Sequence, residues 1–257
     1  MRMPIPSASS AKKAGLVVAL SGLALLLTGC QSKNISGLGF DKGLSSVNDT
    51  TLPLWQGAWI AAGVVGVLTA LALFYPVIFN RRKSEDLPRQ FRHNNKIEIS
   101  LTAIAFIIVL VLFGYTARDE AKITKIDSAA TAPHNITINA IQWSWQFTYA
   151  DAGTGPAQTV TGTPAQPPTL VVPLGEKVLY TITANDVDHG FWIPAFMIQI
   201  QALPHVTNHI EFAAQKLGTF PGRCNILCGR NHSQMLFTVK VVTPAQYQTY
   251  LSTLKAA

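Results

Sequence analysis

Four side chains with metal-binding atoms lie within twelve residues near the C-terminus of this chain: Cys224, Cys228, His232 and Met235. Thiolate and thioether sulfur are soft ligands, so this mixture favours copper over calcium or magnesium. Zinc would accept the cysteines and the histidine but gains little from a methionine. The segment therefore predicts a metal centre, with copper as the favoured metal.

A disulfide between Cys224 and Cys228 is the alternative, because an exported protein meets an oxidising compartment. A bridge across so short a loop would close little chain and would contribute little stability. It would also leave His232 and Met235 without a role. The third cysteine, Cys30, lies far away in the N-terminal segment. The metal interpretation is therefore favoured.

A fifth residue, His189, lies in the segment Asp186–Pro194, which follows a predicted strand. The order and spacing of the five resemble the binuclear copper A site of cytochrome c oxidase subunit II. The pattern of that family is a histidine after a strand, followed by C-x-E-x-C-x3-H-x2-M. The aromatic segment Gln142–Phe147 and two N-terminal apolar runs extend the resemblance over nearly the whole mature chain.

This resemblance implies a site of two copper ions bridged by the two cysteine sulfurs. His189 and Met235 would complete one copper, while His232 and the backbone carbonyl of Ile226 would complete the other. Trp143 would be the residue at which electrons enter from cytochrome c. The alternative for Trp143 is a core aromatic of a strand, and Trp145 is expected on the same face.

One position departs from the family, which usually has glutamate where this chain has Ile226. In the family that carboxylate also helps to bind magnesium at the contact with subunit I. Isoleucine cannot do so, which puts the magnesium site in doubt. Gln199 and Gln201 also stand where related chains often carry charged residues.

The function implied is that of subunit II of a haem–copper terminal oxidase, an enzyme subunit whose oxygen chemistry and proton pumping lie in a partner. The implied partners are the haem-bearing subunit I, subunit III, and cytochrome c or another external electron donor. One alternative keeps the copper site but makes the partner a nitric oxide reductase. A second, of another class, is a copper-storage or delivery lipoprotein.

The site must be positioned by residues 118–257, for which we predict an all-β, cupredoxin-like sandwich. Residues 135–149 alternate between apolar and polar side chains, and residues 151–168 are expected to form a loop. Segments rich in β-branched residues predict further strands at 170–172, 177–184, 210–213 and 236–242. Residues 244–254 predict a short closing helix.

Residues 54–117 predict a transmembrane helical hairpin, because they contain two long uncharged runs. The connecting loop, residues 80–98, carries six lysines and arginines and should face the cytoplasm. Glu98 begins the second span. It either stabilises the helix N-terminus or, as the family implies, forms the entrance of a proton path into subunit I.

The first 29 residues predict an export signal, since basic residues precede a short apolar stretch. The sequence Leu27-Thr28-Gly29-Cys30 resembles the lipobox of bacterial lipoproteins, which would make Cys30 the lipidated N-terminus. Residues 30–53 would then lie outside the bacterial inner membrane. The net charge of +7 falls mainly in the signal and the loop, so nucleic-acid binding is not expected.

Overall fold

The computed structural model describes residues 39–80, 92–127, 133–150 and 157–255 of the 257-residue chain. Two long helices come first, α1 at Ser46–Phe79 and α2 at Asn95–Ile123. At about 1.5 Å per residue, both exceed the ~30 Å hydrocarbon thickness of a membrane. Helix α1 begins before residue 54 and α2 ends after residue 117, so both helices extend beyond the predicted hairpin. Residues 1–38, with Cys30, and residues 81–91 of the loop lie outside the described residues.

Side chains placed before the helices cap both N-termini. Ser45 accepts a hydrogen bond from the backbone N–H of Asn48, and Asn94 accepts one from that of Ile97. Such bonds satisfy backbone donors that have no partner within the helix. Both helices are long and apolar enough to cross a membrane, and large apolar side chains cover their exposed surface.

Ten strands follow among the described residues, and they form two five-stranded sheets in the orders β3-β2-β1-β5-β8 and β4-β10-β9-β6-β7. The strands are β1 His134–Ile141, β2 Ser144–Tyr149, β3 Gln158–Thr161, β4 Thr169–Pro173, β5 Lys177–Ala184, β6 His189–Ile193, β7 Ile198–Ala202, β8 Asn208–Ala213, β9 Gly218–Cys224 and β10 Leu236–Val242. Helix α3, Pro244–Lys255, closes the described chain. The strands expected at 170–172, 177–184, 210–213 and 236–242 and the closing helix are confirmed.

The two sheets pack against each other through aromatic side chains. Trp145 and Phe147 of β2 contact Phe237 of β10 edge-on, with ring centroids 5.4 and 5.8 Å apart. Phe191 of β6 stacks on the same Phe237 ring at 4.7 Å. All four rings are buried. This core fixes the ends of β6, β9 and β10 relative to the β1–β2 hairpin.

Two details of the predicted strands are wrong. Residues 135–149 form a hairpin rather than one alternating strand, with Ile141 paired to Ser144 across a turn at Gln142 and Trp143. The turn breaks the alternation, so Trp145 is wholly buried in the core while Trp143 lies half-buried outside it. The expected loop at 151–168 contains β3, which pairs with β2 as an edge strand.

Candidate metal centre

The site lies at one end of a sheet, where the first residue of β6 and the last residue of its neighbour β9 come close together. His189 begins β6 and Cys224 ends β9, and these antiparallel strands pair through Phe191 and Cys224. The chain then loops through residues 225–235 before β10 begins at Leu236. Strand pairing therefore brings His189 beside a loop that lies more than thirty residues further along the chain.

The two cysteines face each other as free thiols. Their sulfur atoms are 3.7 Å apart, whereas a disulfide bond is about 2.05 Å long. The Sγ atoms and the His189 imidazole lie within 4.8 Å of one another, close enough to share a metal ion. The disulfide alternative is therefore not the arrangement in this structure.

The remaining predicted ligands surround the two thiols. His189 Nδ1 lies 3.2 Å from Met235 Sδ. Cys224 Sγ lies 3.2 Å from the Ile226 carbonyl oxygen, and Cys228 Sγ lies 3.5 Å from His232 Nδ1. Two thiols, two imidazoles, a thioether and a carbonyl thus converge. This donor set suits a soft or borderline transition metal and fits copper.

The centre is closed to solvent on most sides. His189 and Met235 have no exposed surface, and Cys224 and Cys228 are 1% and 3% exposed. His232 is half-buried and forms the outer edge of the cluster. The Trp145 ring stands against His189 with centroids 6.3 Å apart. A bound ion would therefore sit in a rigid site of low polarity.

Asp186 fixes the orientation of His189 from the side away from the sulfurs. Its Oδ1 lies 2.8 Å from His189 Nε2, and its Oδ2 accepts a hydrogen bond of 2.6 Å from the Gln142 backbone N–H. A carboxylate in this place holds the ring so that Nδ1 faces the ligand cluster, as in many metal sites. The other ring nitrogen, Nε2, is already paired with Asp186.

The two cysteine thiols differ in their pKa. Burial acts to raise the pKa of Cys224, but hydrogen bonds with His189 and the Gly190 N–H lower it to about 6. Burial and the charge of Cys224 raise the pKa of Cys228 to about 12. Burial acts to lower the pKa of His189, yet its contacts with Cys224 and Asp186 raise it above 6.5. The two thiols are thus held in unequal surroundings, with Cys224 the more acidic of the pair.

Trp143 lies beside the centre, as the resemblance implies. Its indole Nε1 donates a hydrogen bond of 3.1 Å to the backbone carbonyl of Cys228. The ring packs against the edge of the core rather than within it. Trp143 therefore links the surface of the domain directly to the backbone of a cysteine in the cluster.

Glu98 lies apart from this cluster, in the first turn of α2, whereas the β domain follows the last turn of that helix. Its Oε1 accepts a hydrogen bond of 3.3 Å from the Asn94 backbone N–H. Together with the bond from Ile97 N–H to Asn94 Oδ1, this forms a reciprocal cap. The helix-stabilising alternative for Glu98 accounts for its contacts.

The residues at the expected magnesium position do not offer ionised oxygen. Ile226 presents an alkyl side chain that packs close to Gly190 of β6. Gln201 of β7 pairs with Gly190 of β6. Gln199 and Gln201 are both exposed, and both carry neutral amides. Magnesium prefers carboxylate and water oxygen in a regular octahedron. These three side chains therefore do not fit a magnesium site.

Comparisons with known proteins match the chain over most of its length. A family model described as cytochrome c oxidase subunit II, periplasmic domain, matches residues 165–242. A probable cytochrome c oxidase subunit 2 from Streptomyces avermitilis is 35% identical over 279 residues, covering 94% of this chain and 84% of the relative. Cytochrome c oxidase subunit 2 from Mycobacterium tuberculosis strain H37Rv is 29% identical over 296 residues, covering 93% and 81%.

A crystal structure of the periplasmic domain of subunit II of cytochrome oxidase from Bradyrhizobium japonicum is also similar. It is 30% identical with a TM-score of 0.45, and it covers 49% of this chain and 96% of its own. On the strength of the sequence relatives, this chain belongs to the cytochrome c oxidase subunit II family. It is accordingly a subunit of a cytochrome c oxidase, with two helices able to cross a membrane and a β domain in which residues 165–242 match the family's periplasmic domain.

Sequence reasoning missed two contacts of the centre. Asp186 was named only as the start of the segment that contains His189, and Gln142 only as the start of an aromatic segment. The contact of Asp186 with His189 could have been predicted, because the two residues are only three positions apart. The contact of Gln142 with Cys228 could not, because these residues lie 86 positions apart in the sequence.

Proposed function

We propose that this chain is the electron-accepting subunit of a terminal respiratory oxidase in a bacterial inner membrane. It takes single electrons from cytochrome c or a similar external donor and passes them to haem in subunit I. Oxygen reduction and proton pumping take place in that partner, and subunit III completes the complex. The buried cluster of His189, Cys224 and Cys228 carries this proposal.

Two copper ions, when bound, would share one added electron and so reduce the rearrangement on electron transfer. Cys224 and Cys228 would hold the ions through their sulfur atoms. His189 and Met235 would complete the ligands of one copper, and His232 and the Ile226 carbonyl would complete those of the other. The observed proximities of His189 to Met235 and of Cys228 to His232 support this division. The packed sheets hold these donors in one geometry.

The surrounding assignments follow from the same proposal. Residues 1–29 are the export signal, and Cys30 carries the lipid. Residues 30–53 lie outside, residues 54–117 form the membrane hairpin with a cytoplasmic loop at 80–98, and residues 118–257 form the external copper domain. Trp143 accepts the electron, and Glu98 remains a candidate for the proton-path entrance. No magnesium is included, because Ile226 lacks a carboxylate.

Burial of the ligands argues against the storage or delivery alternative. A delivery protein must release its metal to a partner, so its ligands need to be accessible. Here Cys224, Cys228, His189 and Met235 are all at most 3% exposed. Two long apolar helices would also be superfluous for a protein already anchored by a lipid.

The proposal is tested on the purified oxidase complex by copper analysis and electron paramagnetic resonance. We expect two coppers in this chain with one unpaired electron shared between them. Cys228→Ser and His232→Asn should abolish the shared signal. His209→Asn should not, because His209 is an exposed residue of β8 and is not among the ligands. A single-copper signal in the unmutated complex would contradict the proposal.

A further inference from the structure

Gln142 contacts both of the chain segments that carry metal-binding residues. Its backbone N–H donates to Asp186 Oδ2 at 2.6 Å, and its side-chain Nε2 donates to the Cys228 carbonyl at 2.8 Å. Asp186 in turn holds His189 at 2.8 Å. One exposed residue of the β1–β2 turn therefore joins the histidine segment to the cysteine loop.

This junction connects the two sheets. His189 and Cys224 belong to paired strands of one sheet, whereas Gln142 lies in the hairpin of the other. Strand pairing fixes Cys224 but ends there, and Cys228 lies four residues further along the loop. The Gln142 amide therefore helps to hold the part of the loop that the sheet does not.

The backbone of the loop leaves space for this contact. Gly229 has a φ of +117°, and a Cβ atom there would lie 3.2 Å from both Gln142 Nε2 and Trp143 Nε1. Non-glycine residues rarely adopt that conformation. A glycine after Cys228 thus lets two N–H donors reach one carbonyl oxygen, with the indole bond at 3.1 Å.

Two N–H dipoles consequently point their positive ends toward the residue that carries a bridging sulfur. Accepting an electron makes the centre more negative, so these dipoles stabilise the reduced state more than the oxidised state. Hydrogen bonds and local dipoles around metal ligands tune reduction potentials in this way. Removing one donor should make the centre harder to reduce.

We infer that Gln142 is a positioning residue of the metal centre, whose side-chain amide holds the Cys228 carbonyl and raises the reduction potential of the bound copper. This inference rests on the proposed function, because it concerns the same centre. The amide touches neither the metal nor the donor protein in this role. It acts through Cys228, while the backbone bond to Asp186 survives any side-chain substitution.

The test compares Gln142→Met, Gln142→Glu and Gln146→Met in the purified oxidase complex. Methionine keeps the length of the side chain but removes the donor, whereas glutamate places a negative charge against the carbonyl. Gln146 is the matched control, since its amide bonds to Asn139 and Thr161 on β1 and β3. Copper content and reduction potential are measured by equilibrium redox titration without any cytochrome.

We expect the equilibrium constant for reduction to fall about threefold in Gln142→Met. It should fall about tenfold in Gln142→Glu and stay unchanged in Gln146→Met. Unchanged potentials in both Gln142 variants would overturn the inference. Copper loss with an unchanged potential at the remaining sites would also overturn it, because Gln142 would then be merely structural.

Failure of the proposed function has a different signature. If the unmutated complex contains no binuclear copper, the proposed function fails before any variant is compared. If the centre forms normally and the potentials of both Gln142 variants match that of the unmutated complex, only this inference fails.

Discussion

Hydrogen bonds from neighbouring residues support three of the predicted ligands, His189, Cys224 and Met235. Asp186 holds the His189 ring, and the backbone N–H of Gly190 points at Cys224 Sγ from 3.5 Å. The Cys224 N–H donates to the Met235 carbonyl at 2.9 Å, which ties both ends of the ligand loop together. Substitution of one ligand should therefore leave the other donors in place.

Met235→Leu tests this independence. The buried thioether is the weakest donor, and leucine fills a similar volume at a cost of less than about 1.5 kcal/mol. We expect two coppers to remain, with the equilibrium constant for reduction raised about tenfold, because loss of a donor disfavours the more positive oxidised state. Redox titration and copper analysis of the purified complex measure both.

Met197→Leu is the control for that substitution, since Met197 lies at the other end of the β6–β7 hairpin. It should leave copper content and potential unchanged. Loss of one copper in Met235→Leu would show that the thioether is required to retain the metal, contrary to this expectation.

Gly229→Ala tests the space beside Cys228. Gly229 and Gly175 both have positive φ, at +117° and +76°, but a Cβ at Gly175 meets nothing within 4 Å. Alanine at either position should lower the free energy of unfolding by about 1–2 kcal/mol. Only the alanine at position 229 should also come into close contact with the side chains of Gln142 and Trp143. We therefore expect faster copper loss to a chelator in that variant alone.

Copper retention under chelator and the thermal midpoint of unfolding measure the two effects separately. Equal copper retention in Gly229→Ala and Gly175→Ala would show that the close approach at Gly229 does not support the centre.

At the scale of secondary structure, an ion-pair network ties the outer end of α2 to the β domain. Lys177 of β5 contacts Asp127, which follows α2, and lies 2.8 Å from Glu211 of β8. Lys125 lies 2.9 Å from Asp127. At the start of α1, the Ala213 N–H donates to Ser46 Oγ at 3.1 Å. The start of α1 is thus attached to β8, and the segment that follows α2 is attached to β5.

Asp127→Asn tests the attachment of α2 through its dependence on pH. Hydrogen bonds with Lys177 and Lys125 lower the pKa of Asp127 from 3.8 to about 2. Because the folded pKa is the lower one, this pair stabilises the fold above pH 3.8 and the contribution is lost as the pH falls toward 2. In the variant, stability should therefore change less between pH 4 and pH 2.

Thermal unfolding of the detergent-solubilised complex across that pH range measures the difference. Glu120→Gln, which replaces an exposed carboxylate of α2, should retain the steeper pH dependence of the unmutated chain. Identical pH profiles for Asp127→Asn and the unmutated chain would show that the network does not stabilise the folded state.

Short-range sequence patterns were sufficient to predict much of this structure. The uncharged runs identified both helices, and the β-branched segment at 236–242 identified β10. The spacing of Cys224, Cys228, His232 and Met235 identified residues that do converge. Strand β3 was missed because its short β-forming run lies in a segment rich in glycine, proline and threonine. Such an edge strand depends on pairing with β2, which no local signal reveals.

Long-range contacts were the second source of error. Trp143 and Trp145 are two residues apart and were expected on one face, but Trp143 lies in the turn that precedes β2, whereas Trp145 lies within β2. The bond between Gln142 and Cys228 depends on how two sheets pack, so it has no counterpart in residue spacing. Sequence therefore identified the side chains that converge better than the residues that hold them in place.

At the scale of the whole molecule, acidic and basic residues are few and nearly balanced on the β domain. Residues 118–257 contain nine basic and eight acidic residues, and one of the acids, Asp186, is engaged with His189. Near the centre, Leu227 is 81% exposed and Leu236 is 40% exposed. The ligand loop thus exposes apolar contact area, and the near balance of acidic and basic residues gives no strong net charge that would attract a basic protein over a distance.

The expected consequence is weak salt dependence of electron uptake. Strong electrostatic steering changes association rates by 10–10³-fold and is screened by salt. Without a strong charge imbalance, we expect the rate of copper reduction to change less than about threefold between low and physiological ionic strength. Stopped-flow mixing of the purified oxidase with its physiological donor measures this rate. Trp143→Gln should slow it severely at both ionic strengths while copper content stays the same. A steep decline with added salt in the unmutated complex would instead show that acidic residues cluster into a docking site, and that the donor is guided by charge.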